Sequence, residues 1–254
     1  MAEHSAPVRT ARLGRAVGRE PTAVGGAVVL LPGGEEESAR RPSSVWATAS
    51  VRGLGRTLVR AGRDEGLAAH VVHYRYRGWN GNAAHPAQDA SWAVDEIVRR
   101  YGDVPVCLVG MGMGGRAALR ASGHEAVNSV VALAPWLPED DVAAPPEPVK
   151  QLAGRRVLIV HGTNDERTDP ELSFRLATRA KKANRDVCRF EVHTDGHALH
   201  QYRAEVHALA SDFAMGALFG HPLSRPVLDA LAAPPPLGLR MPLAVGFGRS
   251  LHRV

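Results

Sequence analysis

The chain has 254 residues, 44% of them hydrophobic and 22% charged. That composition suits one globular domain with a large core and excludes a fibrous or low-complexity chain. The net charge of +5 comes from scattered arginines, with lysine only at Lys150, Lys181 and Lys182 and no basic run of five, so no nucleic-acid partner is expected. No apolar run nears the roughly 20 residues that span a bilayer, so no membrane partner is expected either. Met1 to Glu20 is polar and basic without an apolar signal core, which makes a cytoplasmic protein the expectation. Cys107 and Cys188 lie in apolar, strand-like stretches and read as buried free thiols.

Taken in order, residues 1–24 form a polar arm; Val8 to Val17 reads either as an edge hairpin or as a mobile segment. Ala27 to Leu31 is apolar on both faces, as a parallel strand covered by helices must be, and it stops at Pro32-Gly33-Gly34. Val51, Leu54, Leu58 and Val59 have helical spacing, weakened by Gly53 and Gly55. Leu67 to Tyr74 is the next strand and runs into a turn-rich stretch from Tyr76 to Gly81. Ala90, Val94, Ile97, Val98 and Tyr101 make one helical stripe. Pro105 to Val109 is a strand that ends in a glycine cluster, and a small-residue helix follows as far as Gly123.

Further strands are expected at Asn128–Ala134, Val157–Val160 and Val187–Val192, and helices around Leu172–Ala180 and Tyr202–Leu218. Pro135 to Pro148 is rich in proline and acid and has space only for a small lid. The stretch 221–254, with Pro234-Pro235-Pro236, reads as an irregular tail. Strands alternating with helices predict an α/β fold with a mostly parallel sheet of six or more strands, helices on both faces, and one domain over 25–220.

Four stretches carry chemistry. In Gly110-Met111-Gly112-Met113-Gly114 a strand runs through a tight turn into a helix. This resembles the nucleophile elbow of the α/β-hydrolase family, G-x-S-x-G, with Gly110 and Gly114 as the flanking glycines. The position where that family keeps its serine is Gly112, so the elbow is present without its hydroxyl. Leu31-Pro32-Gly33-Gly34 resembles the family's oxyanion loop, which implies that the N–H groups of Gly34 and Met113 point at one spot. His161-Gly162-Thr163-Asn164-Asp165 resembles the acid loop, with Asp165 as the carboxylate and Asp169 as its neighbouring rival. Thr194-Asp195-Gly196-His197 follows the last strand, where the family keeps its general base. His197 is the choice there, with His193 and His200 close by. The order elbow, acid, histidine is the family's order.

The resemblance implies a small-molecule pocket near Gly33 and Met111; Trp79 and Trp136 follow strands and read equally as the pocket mouth, which suggests an apolar or ester-like ligand, or as structural packing. No metal-ligand cluster or dinucleotide motif occurs, so neither a metal nor a cofactor is expected. The glycine cluster lacks the Lys-Ser/Thr of a phosphate loop. Whether the chain pairs as a homodimer stays open. Three readings follow: a His-Asp dyad enzyme without covalent catalysis, a non-catalytic pseudoenzyme serving as a binding or scaffold protein, and a hydrolase whose elbow serine was replaced by an introduced Gly112 or whose nucleophile lies elsewhere on the chain.

Overall fold

The computed structural model describes residues 9–40, 45–138 and 146–249. An eight-stranded sheet runs through the molecule in the order β1-β3-β2-β4-β5-β6-β7-β8. The six expected strands are all present: β2 (Gly26–Leu31), β3 (Leu67–His73), β4 (Val106–Met111), β5 (Val127–Leu133), β6 (Arg156–Gly162) and β7 (Val187–Val192). They are mutually parallel. Two more strands sit at the edges. β1 (Arg12–Ala16) is antiparallel to β3, so the described residues 9–24 contribute one edge strand; Val8, where the expected hairpin begins, lies outside the described residues. β8 (Met241–Pro242) adds in parallel beside β7.

The six strands β2 to β7 are buried on both faces because helices cover both, whereas the edge strands are partly exposed. Along β2, Ala27, Val29 and Leu31 face one core and Val28 and Leu30 the other. The first core is closed by α2 (His85–Tyr101), α3 (Met113–Ala121) and α4 (Pro170–Ala183). The second is closed by α1 (Val45–Ala61), α5 (Arg203–Phe219) and α6 (Arg225–Ala232). Each βα step is a right-length crossover for a parallel pair, and the sheet's carboxyl edge gathers the loops after β2, β4, β6 and β7.

The stretch 221–254 is not an irregular tail as far as it is described. Its α6 carries Pro226 in its first turn, buries Val227 and Ala230, and leads through a short 3₁₀ turn, Leu237–Leu239, to β8. Lys181 holds α6 in place: its Nζ donates to the carbonyls of Val187 (2.8 Å), Ala230 (3.2 Å) and Leu231 (2.8 Å). Of the expected lid stretch Pro135–Pro148, residues 139–145 lie outside the described residues. Both cysteines are buried and free, and burial pushes both thiols up to about 12. Among the described residues no helix is long and apolar enough to cross a membrane.

Candidate active site

The turn between β4 and α3 is held by close backbone packing. A side chain at Gly110 would overlap the carbonyl of Gly114, and one at Gly114 would overlap the carbonyl of Leu31 on β2. Both flanking glycines are therefore needed for strand and helix to meet this closely. Gly112, at the tip, has φ 55° and ψ −120°, a backbone conformation strained for any residue with a side chain. Its carbonyl accepts the N–H groups of Gly115 (3.0 Å), Arg116 (3.2 Å) and Trp136 (3.0 Å), and its own N–H donates to Leu133 (2.9 Å). The sharp turn is thus fixed by four hydrogen bonds.

Asp165 and His197 come together from the loops after β6 and β7. The Nδ1 of His197 lies 2.9 Å from Oδ2 of Asp165. A carboxylate only accepts, so Nδ1 carries the proton and the neutral ring presents its lone pair at Nε2. That Nε2 would stand 3.2 Å from a Cβ placed on Gly112. The imidazole therefore faces the spot where a side chain at the elbow tip would begin. Asp165 is fully buried, whereas His197 is 20% exposed towards a cleft.

The Asp165 carboxylate is saturated with donors. Oδ1 accepts the N–H groups of Arg167 (2.9 Å) and Thr168 (3.0 Å). Oδ2 faces the Thr168 hydroxyl (2.7 Å), His197 Nδ1 and His161 Nε2 (3.1 Å). Burial opposes its ionisation, but the hydrogen bonds from His161, His197, Thr168 and Arg167 outweigh burial and hold the carboxyl well below the usual range. Asp169, the rival acid, caps α4 instead, accepting the N–H of Glu171 at 2.9 Å. His193 is exposed and outside the cleft wall, and His200 lines the cleft without touching Asp165.

The cleft above Gly112 has a volume of about 570 Å³. Gly33, Gly34, Met111, Met113 and Trp136 line it. Trp79 does not. It is buried in the core, 6.3 Å edge-on to Trp136, with the Arg116 guanidinium 4.0 Å over its ring and 4.8 Å from that of Trp136. Arg116 is in turn paired with Glu147 at 2.8 Å. A tryptophan after a strand was a fair pocket candidate, but the cation beneath it claims its face.

Gly34 has a further reason to be glycine: a side chain there would run into the Met113 thioether and the Arg77 carbonyl. Among the described residues the N–H groups of Gly34 and Met113 meet no protein acceptor, and both residues border the cleft. The loop carrying Gly34 is fixed by the Tyr74 hydroxyl on the Pro32 carbonyl (3.1 Å) and the Glu35 N–H on the Arg77 carbonyl (3.1 Å).

Sequence reasoning missed Trp46, Ser50, Arg167 and Thr168. Only Thr168 left a signal, as a hydroxyl three residues past the acid. The wall is more polar than expected: Glu35 pairs with Arg77 at 3.0 Å, and Glu36 and Arg167 add one charge of each sign. Ser50 is the only serine on the wall among the described residues, and its hydroxyl points to Met111 Sδ (3.4 Å), not to His197. Among the described residues there is no cluster of three or more metal-ligating side chains.

No family model matches the sequence, and no curated protein matches it in sequence. Solved structures do match it in fold. An esterase from Pyrococcus furiosus superposes with a TM-score of 0.61 at 15% identity, covering 77% of this chain and 83% of its own. A monoacylglycerol lipase from Paleococcus ferrophilus gives 0.56 at 16%, covering 83% and 99%. A putative alpha/beta hydrolase from Agrobacterium tumefaciens gives 0.57 at 13%, covering 85% and 94%. The chain has the α/β-hydrolase fold. At such identities the likeness speaks for the α/β-hydrolase architecture alone, so the chemistry rests on the residues around Gly112.

Proposed function

We propose that this α/β-hydrolase-fold chain is a small-molecule enzyme of esterase type in which His197, oriented by Asp165, acts as a general base without a covalent intermediate. One observation carries the reading. The His197–Asp165 hydrogen bond is 2.9 Å long while the far nitrogen of the same ring faces the vacant tip position at 3.2 Å. Nε2 takes a proton from water seated over Gly112, and the water oxygen attacks the acyl carbon. The Gly34 and Met113 N–H groups receive the carbonyl oxygen as it gains charge. Collapse expels the alkoxide, which recovers the proton from the imidazolium. The expected ligand is small, with an apolar part against Trp46, Trp136 and Met111.

General-base catalysis contributes about 10²–10⁴-fold, so slow turnover is expected. Hydrolysis of p-nitrophenyl acetate by the parent protein should be steady, with no stoichiometric burst. In His197→Ala it should fall about 100-fold or more in a folded protein. An unchanged rate in that variant would remove His197 as the base.

A second reading, a pseudoenzyme that binds without turnover, is favoured by one feature. Asp165 is held by His161, Thr168 and two backbone amides besides His197, so the acid has a structural reason to persist. In that case His197→Ala leaves ligand affinity unchanged and the parent shows no turnover to lose.

A further inference from the structure

His161, at the end of β6, is fully buried and belongs to no step described above. Its two ring nitrogens are both engaged. Nδ1 lies 2.9 Å from Ser173 Oγ, and Nε2 lies 3.1 Å from Oδ2 of Asp165 and 3.3 Å from the Thr168 hydroxyl. Ser173 Oγ also accepts the Nε–H of Arg189 (2.9 Å) and faces the Pro170 carbonyl (2.8 Å). Proton bookkeeping over these atoms leaves two consistent states. In the neutral ring, Ser173 donates to Nδ1, the Pro170 carbonyl takes the Nη2–H of Arg189 (3.1 Å), and Nε2 carries the proton. In the charged ring both nitrogens donate. Either way Nε2–H points at Asp165. The remaining tautomer would aim a lone pair at a carboxylate oxygen. Burial lowers the proton affinity of His161, which favours the neutral state.

We infer that His161 is a positioning residue that sets the basicity of His197 by sharing Oδ2 of Asp165 with it. The inference rests on the dyad reading for its functional meaning, but not for its geometry. Three donors meet at that one oxygen: the Thr168 hydroxyl, His197 Nδ1–H and His161 Nε2–H. Every donor that draws on the oxygen's charge leaves less of it to stabilise imidazolium at His197.

Among the other charged groups around the cluster, Arg189, Arg240, Glu191 and Glu171 neutralise one another. From β7, the buried Arg189 bonds Glu191 at 2.8 Å. From the segment before β8, Arg240 bonds Glu191 (3.1 Å) and Glu171 on α4 (2.8 Å). From the loop after β7, Asp195 is spent on the N–H groups of Gly196 (2.9 Å) and Tyr202 (3.1 Å). In the acid loop, Arg167 meets Asp165 through its backbone N–H. Among the described residues His161 is therefore the one titratable side-chain donor, besides His197 itself, that touches the acid directly.

The test is an imidazole NMR titration of the full chain, with the His197 signal assigned by its loss in His197→Ala. In His161→Phe one donor leaves Oδ2, and the midpoint of His197 should rise, with proton affinity increasing roughly three- to tenfold. In His161→Gln the side-chain N–H can reach the same oxygen, and the midpoint should return towards that of the parent. A purely structural role would not give this split between two apolar and polar replacements of one buried ring. A folded His161→Phe that titrates like the parent overturns the proposal. Should either variant fail to fold, the nitrogen-15 tautomer spectrum of the parent decides: Nε2–H on His161 is expected, and a bare Nε2 overturns it. No substrate is needed, so a failed dyad reading, seen as unchanged turnover in His197→Ala, is distinguishable from a failure here.

Discussion

Gly110 and Gly112 sit two residues apart in one turn and are glycines for different reasons. At Gly110 a side chain would strike the backbone of Gly114; at Gly112 a Cβ would press on the His197 ring at 3.2 Å, which can shift slightly, and the backbone has φ 55°. Gly112→Ala should therefore cost about 1–3 kcal/mol, the usual size of backbone strain at such a conformation. Gly110→Ala should cost more, because the clash is with main chain that cannot swing away. Urea midpoints measure both, and equal losses would contradict the distinction. The glycine spacing, Asp165 and His197 were all legible in the sequence, because their order along the chain is tied to the ends of successive strands. The sandwich of Arg116 between Trp79 and Trp136 was not legible, since it depends on a helix face meeting two loops. The same holds for the triple use of Asp165 Oδ2, which needs atoms rather than spacing.

The six parallel strands and the five helices from α1 to α5 were readable from apolar runs and helical spacing. The edge and end elements were not. β8 has two residues and earns its place only through pairing with β7, and β1 has no apolar alternation to announce it. α6 did leave a signal, Ser224-Arg225-Pro226 followed by Val227, Ala230 and Leu231, but the prolines after it suggested an irregular tail. Ser224 is anchored by Asp212, whose carboxylate accepts its hydroxyl at 2.6 Å. At the other end, Lys181 supplies a donor to the last-turn carbonyls of α6 at a half-buried site. Lys181→Ala should therefore loosen this unit, with a loss of about 1–3 kcal/mol from unpaired carbonyls. Limited proteolysis should then cut within 221–249 before the rest of the domain opens. Unchanged protection of that stretch would show that Lys181 does not hold it.

At the scale of the molecule, acid should weaken the fold before it reaches the carboxylates. Burial holds the imidazoles of His70 and His161 below the ordinary 6.5, and burial with the Arg203 charge pushes His207 down to about 4. Between those values and 6.5 the unfolded chain binds more protons than the folded one, so stability is full above that range and falls as pH drops through it. Asp165, with its lowered carboxyl, adds a loss at still lower pH; Asp212, raised by burial, works in the opposite direction. The melting temperature should fall from about pH 7 to about pH 5, and His207→Gln should flatten the fall; a flat profile in the parent would contradict this. The fold as a whole brings the Gly112 turn, Asp165, His197 and the N–H groups of Gly34 and Met113, which meet no protein acceptor among the described residues, to one cleft. Gly112→Ser tests that directly, with circular dichroism to establish folding. The new hydroxyl should stand one bond beyond the Cβ position that lies 3.2 Å from His197 Nε2, after a small retreat of the ring. Mixed with p-nitrophenyl acetate, the folded variant should release a stoichiometric burst of p-nitrophenolate that the parent lacks and that Gly112→Ser/His197→Ala loses. A folded Gly112→Ser with no burst and no gain over the parent would contradict the account.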